Sequence, residues 1–247
     1  MRLARQRLVD DPHDVQAAAD LSRSLREAVF DYLTAGEPAV GEQDALAAAG
    51  ESLRLARAVA ADLPDDPGAL SGLFFSLHAL AEMLAVSSPA QAVAAYWEAA
   101  VVGQRRLAVD PDPEQVRLEL SWTLRDAGAL MSQDSSEASA LLEQSVTLAR
   151  HHLAARPDDL AATRELAWVL MVAAEHCTQR QPSRALALYQ ESVLAATAVY
   201  DSDPDDAGSR RDLWLALTGV ADMLEPDDAE AAHAIRRHAD GLTANGR

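Results

Sequence analysis

The sequence predicts an all-α fold, a right-handed α-solenoid built from about five antiparallel helix hairpins. Two apolar patterns, each with the periodicity of an amphipathic helix, alternate along the 247 residues and recur every 46 to 47 residues. Hydrophobic residues make up 49% of the chain but aromatic residues only 4%, which suits closely packed helices rich in Ala and Leu better than a sheet. Because a lone hairpin cannot bury its apolar face, consecutive hairpins must stack.

Leucines mark the first pattern, which we call helix A. They recur at intervals of 52, 47, 46 and 47 residues, at Leu21, Leu73, Leu120, Leu166 and Leu213. A second leucine stands four residues after each, at Leu25, Leu77, Leu124, Leu170 and Leu217. Small or apolar residues follow after four more, at Val29, Ala81, Gly128, Ala174 and Ala221. Offsets of 0, 4 and 8 lie on one face of an α-helix, so each stripe predicts one helix.

Alanines begin the second pattern, helix B. They are spaced 47, 46 and 47 residues apart, at Ala45, Ala92, Ala138 and Ala185. Larger residues stand four residues later in most copies, at Ala49, Tyr96, Leu142 and Tyr189. Small residues follow after three more, at Ser52, Ala99, Ser145 and Ser192. Small residues at a fixed helical position indicate where a neighbouring helix approaches closely.

Turn residues separate the two patterns and fix the expected boundaries. A proline precedes each helix A, in Asp11-Pro12, Asp66-Pro67, Asp110-Pro111, Arg156-Pro157 and Asp203-Pro204. A longer loop around residues 35–42 accounts for the 52-residue interval. We therefore expect one domain over 1–247, with a short helix at 1–9 and hairpins at about 13–62, 67–109, 113–155, 158–201 and 205–244.

Acidic pairs fall in these turns, at Asp65-Asp66, Asp158-Asp159, Asp205-Asp206 and Asp227-Asp228. One hypothesis is a Mg²⁺ site, but such a site needs carboxylates that converge from facing helices. Aspartate before the first turn of a helix is a common N-cap, because its side chain accepts the unpaired backbone N–H groups. We predict capping.

Each hairpin resembles a tetratricopeptide repeat (TPR). Ala185, Tyr189 and Ser192 match the helix B half of that pattern, and Gly128 matches the small position of helix A. The family usually has tryptophan where Leu124 stands, and its period is about 34 residues, so both helices here are longer. Such long repeats resemble those appended to bacterial signalling NTPases and caspase-like proteases.

The resemblance implies a concave groove lined by helix A, and it implies which residues would bind a partner there. The candidates are Arg23, Arg26, Phe30, Phe75, His78, Trp122, Arg125, Trp168 and Met171. Phe75, Trp122 and Trp168 would be apolar anchors and the arginines would pair with anionic groups. The alternative is that the three rings pack into the core. Trp97 and Trp214 lie off this register, and we predict that they are packing residues.

Charge and cysteine content bear on the class of partner. The formal net charge of −18 disfavours nucleic acid and anionic membranes and favours a basic partner. No run of about 18 apolar residues predicts a membrane span. Cys177 is the only cysteine, and no signal peptide is recognised, so a cytoplasmic location is expected.

We find no motif for an enzyme, a metal or a cofactor. His151-His152 and Glu175-His176-Cys177 are adjacent on helices, so their side chains point about 100° apart and cannot share one metal. Cys177 lies on the leucine face, which predicts a buried and unreactive thiol. The sequence therefore predicts a scaffold that binds a peptide or a partner domain, one that is basic or carries an anionic terminus. Self-association, or regulation of an enzyme encoded nearby, is the alternative, and an all-α small-molecule sensor or enzyme is a minor one.

Overall fold

A computed structural model describes residues 1–35, 41–110, 112–133 and 135–244, with side chains described as far as 242. These residues form helices and no strand. The helices are α1 (Arg2–Asp10), α2 (Val15–Thr34), α3 (Glu42–Asp62), α4 (Pro67–Leu84), α5 (Pro89–Val109), α6 (Pro113–Ala129), α7 (Ser136–Ala155), α8 (Leu160–Cys177), α9 (Pro182–Ser202), α10 (Ala207–Leu224) and α11 (Ala229–Ala244). Most of the loop expected at 35–42, and the proline of Asp110-Pro111, lie outside the described residues.

The chain divides into two compact units, Met1–Thr123 and Leu124–Arg247, and the boundary falls within α6. In the first unit each helix from α1 to α5 packs against the next, and α2 also contacts α4. In the second unit each helix from α7 to α11 packs against the next, and α8 also contacts α10. Within each unit, stepwise packing of this kind confirms the predicted all-α fold of the solenoid type.

Aspartate caps begin the helices that follow the acidic turns. The side chains of Asp66 and Asp159 accept hydrogen bonds from the backbone N–H groups of Ala69 and Ala162, at 2.7 and 3.0 Å. Asp206 and Asp228 cap α10 and α11 in the same way. The capping prediction is confirmed for the second residue of each acidic pair.

Three serines form a buried polar junction in the first unit. Ser22 on α2, Ser52 on α3 and Ser76 on α4 are each at most 3% exposed. The hydroxyl of Ser52 lies 2.9 Å from that of Ser76 and 3.1 Å from that of Ser22. Their small side chains let three helices approach, and the hydroxyls satisfy one another where water is excluded. Ser192 makes a related contact in the second unit, donating to the carbonyl oxygen of Ala167 at 2.8 Å.

A glycine admits a large residue of helix B, Tyr189 of α9, in the second unit. A Cβ atom built on Gly219 of α10 would lie 2.4 Å from Cε1 of Tyr189. Tyr189 is 6% exposed and belongs to a core cluster with Val169, Leu170 and Ala174. The close approach of the α9 tyrosine to the α10 backbone therefore requires glycine at 219.

Bidentate ion pairs connect successive B helices on the surface. Arg57 on α3 donates to Glu98 on α5 through Nε at 3.2 Å and through Nη2 at 2.5 Å. Arg150 pairs with Glu191 in the same geometry, and Arg5 of α1 pairs with Glu51. Each pair is exposed and contributes about 0–1 kcal/mol. The repetition shows that α1 stands in the place of the second half of a B helix.

Candidate functional site

A cleft of about 350 Å³ lies between α2 and α4 in the first unit. Helix α2 contributes Arg23 and Arg26 to its lining, and α4 contributes Gly68, Ser71 and Gly72. A Cβ atom added to Gly72 would meet nothing within 4 Å, so the missing side chain at this position leaves space open beside Arg26. The volume is at the lower end of the range of about 300–1,000 Å³ that ligand sites occupy.

Arg26 is held in place at the edge of this cleft. Its guanidinium carbon lies 5.5 Å from the centre of the Phe75 ring, and Nη1 donates to the carbonyl oxygen of Gly72 at 3.3 Å. Burial lowers the pKa of Arg26, and the nearby charge of Arg23 lowers it further, while Glu27 acts in the opposite direction. Arg26 remains a cation, since the ordinary pKa of arginine is far above neutral pH.

Arg23 is exposed, and within the described ranges it has no hydrogen bond or ion pair. Asp66 is a carboxylate in the cleft lining, but its side chain is engaged by the N–H of Ala69. Two arginines thus face an open space without a carboxylate bound to either, although the chain carries 39 acidic residues against 21 basic ones.

The aromatic candidates of the first unit lie at different depths. Phe30 is 63% exposed and follows Arg26 by one turn of α2. Phe75 is half-buried and packs against the core cluster that contains Phe74. Trp122 is half-buried on α6. Phe75 and Trp122 are thus neither exposed nor fully buried, and Phe30 is the exposed ring among these candidates.

His78 is occupied by structural contacts. Its Nδ1 atom lies 3.3 Å from the hydroxyl of Thr123, and its ring stacks on Phe74 and meets the edge of Tyr96. These contacts connect α4 with α5 and α6. The side chain is 15% exposed, so it offers little surface to a partner.

The candidates of the second unit are engaged within that unit. Met171 is 7% exposed and lies in the core cluster of α8, and Trp168 is half-buried against the same cluster. Arg125 forms ion pairs with Glu165 and Asp126. Burial lowers the pKa of Arg125, but the two carboxylates more than offset this, and the pKa is raised overall. The structure thus offers Arg23, Arg26 and Phe30 as accessible candidates.

Trp97 corrects one prediction made from the sequence. It was expected to be a packing residue, yet it is 45% exposed on α5, one turn before Val101, which is 59% exposed. Trp214, assigned to packing on the same grounds, does lie against the core of the second unit. Trp97 follows the buried Tyr96, and a single step along a helix turns the side chain by about 100° away from the core. In the sequence, Trp97 and Val101 are four residues apart and both lie off the helix B positions Ala92, Tyr96 and Ala99, which could have indicated a second apolar face.

Neither metal-ligand clustering nor a membrane span is seen in the described ranges. No group of three or more His, Cys, Asp or Glu residues in them could hold a metal ion. None of their helices is both long and apolar enough to cross a bilayer.

Cys177 is half-buried, and burial raises the pKa of its thiol, which disfavours the reactive thiolate.

Comparison with known proteins informs the fold only. No protein-family model and no curated protein sequence matches the chain. A solved structure described as "MamA RS-1 ArsTM double mutant" aligns over 92% of this chain and 96% of its own, with 15% identity and a TM-score of 0.51. The designed helical repeat protein DHR64 aligns over 94% of this chain and 100% of its own, with 16% identity and a lower TM-score of 0.37. The similarity to MamA supports a helical-repeat fold.

Proposed function

We propose that the chain is a TPR-like protein-interaction scaffold without catalytic activity, and that a partner peptide docks in the α2–α4 cleft. The observation that carries this proposal is the pair Arg23 and Arg26, which face the cleft without a bound carboxylate. The partner would contribute an anionic group to the arginines and an apolar group to Phe30. Arginine and aromatic residues are the types that contribute most to binding at protein interfaces.

The chemistry of the lining favours binding over catalysis. No histidine or cysteine is among the residues that line the cleft. The carboxylate of Asp66 serves as a helix cap, so it is not free to act as a base toward Ser71. What remains are hydrogen-bond donors, of which Arg26 is held in place, and such donors suit recognition of an anion.

Charge-matched variants test the proposal. The immobilised protein is used to capture partners from a lysate of the source cells, and bound proteins are quantified by mass spectrometry. We expect Arg23→Gln with Arg26→Gln to reduce capture of a specific protein about tenfold or more. The control is Arg54→Gln with Arg211→Gln, which removes two exposed arginines outside the cleft and changes the net charge equally. Equal capture by the two double variants would refute the docking site.

A second variant separates the shape of the cleft from its charge. Gly72→Leu places a side chain in the open space and leaves both arginines in the sequence. It should reduce capture as strongly as the arginine substitutions, while circular dichroism and thermal unfolding show a folded protein. Full capture by a folded Gly72→Leu variant would exclude the cleft as the docking site.

Self-association is the second candidate function, and the exposed Trp97 and Val101 on α5 favour it. Light scattering across a range of concentrations is the measurement. A mass that rises with concentration, and that falls to the monomer value in Trp97→Ser, would support association through α5. A monomer at every concentration would exclude it.

A further inference from the structure

We propose that the α2–α4 cleft selects a phosphoryl dianion, carried on a phosphorylated side chain of the partner, in preference to a carboxylate. This inference rests on the proposed docking function and specifies the chemistry of the group that the two arginines bind.

The spacing of the two cations is the first argument. Arg23 and Arg26 are three residues apart on α2, so their side chains lie on the same face of the helix. Both line the same cleft, and the charge of Arg23 adds to the effect of burial in lowering the pKa of Arg26. A carboxylate carries one charge and two oxygens, and matches one guanidinium. A phosphoryl group carries a charge of about −1.5 to −2 and three terminal oxygens, so it can bridge both.

The positioning of Arg26 is the second argument. Phe75 lies against the guanidinium, and the Gly72 carbonyl accepts one of its five N–H donors. The remaining donors have no partner within the described residues. Because the side chain is already held, less conformational entropy is lost when it binds an anion.

Additional donors line the same space. The hydroxyl of Ser71 lines the same space, and the backbone of Gly68 lies in the first turn of α4, where the helix dipole favours negative charge. The Asp66 carboxylate opposes an anion here, but it accepts the N–H of Ala69 at 2.7 Å and is partly neutralised by the helix. The cleft lining therefore provides an anion with two guanidinium groups from α2 and a hydroxyl from α4, more donors than a single carboxylate needs.

The test compares three probes at constant ionic strength: N-acetyl-phosphoserine N-methylamide, the matching glutamate amide, and inorganic phosphate. Binding is followed by NMR of the arginine Nε–H resonances, assigned by substitution. We expect the phosphoserine amide to bind about tenfold more tightly than the glutamate amide and to shift the Arg23 and Arg26 signals. Its affinity should rise as the pH is raised through about 6, where the phosphate loses its second proton, whereas that of the glutamate amide should not.

Each outcome decides the inference. Loss of phosphoserine binding in Arg23→Gln and in Gly72→Leu, with retention in Arg54→Gln, would support it. Equal affinity for phosphoserine and glutamate amides would overturn phosphoryl selectivity, even if the arginine variants still lose the partner. Equal affinity for phosphoserine amide and inorganic phosphate would overturn the assignment to a partner side chain. If the protein binds phosphoserine amide selectively but Arg23→Gln with Arg26→Gln still captures the partner fully, the proposed docking function is refuted. The phosphoryl site is then still supported.

Discussion

The guanidinium of Arg26 on α2 lies 5.5 Å from the centre of the Phe75 ring on α4. Arg106 approaches the same ring, at 5.8 Å, and also lies over Phe74. Phe75 therefore has two structural roles. It contributes to the core of the first unit, and it positions one of the two arginines of the cleft.

A double-mutant cycle measures this contact. We expect Arg26→Met and Phe75→Leu to be coupled by about 0.5–1 kcal/mol in the free energy of unfolding, because each removes one half of a cation–π pair and keeps an apolar side chain. The measurement is urea unfolding of the two single variants and the double variant. Free energies that add to within the experimental error would show that the ring does not stabilise the arginine.

The hydroxyl of Ser52 in the serine junction should contribute measurably to the free energy of unfolding. Ser52→Ala removes the hydroxyl that lies between those of Ser22 and Ser76, which should reduce the free energy of unfolding by about 1 kcal/mol. The cost stays near that of one hydrogen bond, because the Ser22 hydroxyl keeps the carbonyl oxygen of Ser52 as an acceptor at 3.0 Å. Ser24→Ala is the control, since that hydroxyl bonds only to the carbonyl oxygen of Asp20 in its own helix. A cost for Ser52→Ala no larger than that of Ser24→Ala, by urea unfolding, would contradict the role assigned to the junction.

Two glycines on helices should respond with opposite signs to alanine. At Gly50 a Cβ atom meets nothing within 4 Å, so Gly50→Ala should stabilise the protein by about 0.5–1 kcal/mol through helix propensity. At Gly219 the added atom would overlap Tyr189, so Gly219→Ala should lower the melting temperature. Calorimetry of the two variants checks both signs. Stabilisation by both substitutions would mean that Tyr189 does not pack on the α10 backbone as described.

The caps predict how stability responds to acid. The hydrogen bond from the Ala162 N–H, and the neighbouring His152, lower the pKa of Asp159. A carboxyl whose pKa is lower in the folded state stabilises the protein above its unfolded pKa of about 3.9, and this contribution is lost as the pH falls through the folded pKa. Asp159→Ala should therefore cost about 1 kcal/mol at neutral pH.

The difference between Asp159→Ala and the wild type should narrow below about pH 4. Melting temperatures measured from pH 7 to pH 3 test this, with Asp158→Ala as the control because Asp158 is exposed and does not cap α8. A difference that is constant over the whole range would show that the charged carboxylate is not what stabilises the helix.

The fold could be predicted because its determinants are local and repeated. The stripe that begins at Leu166 and the cap at Asp159 each place α8 independently, and the structure agrees with both. The cleft could be predicted only in part. Arg23 and Arg26 were named because the resemblance to tetratricopeptide repeats implies groove positions there, but the space beside them depends on Gly72 of the next repeat.

Helical register predicts the burial and the pairing of side chains less well than it predicts the helices. Met171 occupies a groove position of the shorter family repeat, yet in this longer helix it is buried beside Leu170 in the core of the second unit. Arg125 was expected to pair with an anionic group of a partner, but in the structure it pairs with Asp126 and with Glu165, which lies 40 residues away. Pairings between repeats depend on how the helices pack, and periodicity alone does not determine them.

Site-specific crosslinking tests the central claim most directly. A photoreactive amino acid is placed at Gln16, an exposed residue of the cleft lining, and separately at Arg54, which is exposed on α3 outside the cleft. After irradiation in the source cells, we predict a discrete adduct from position 16, its loss when Arg23→Gln and Arg26→Gln are added, and no such adduct from position 54. An adduct from position 16 that persists without the two arginines, or the same adduct from position 54, would contradict docking in the α2–α4 cleft.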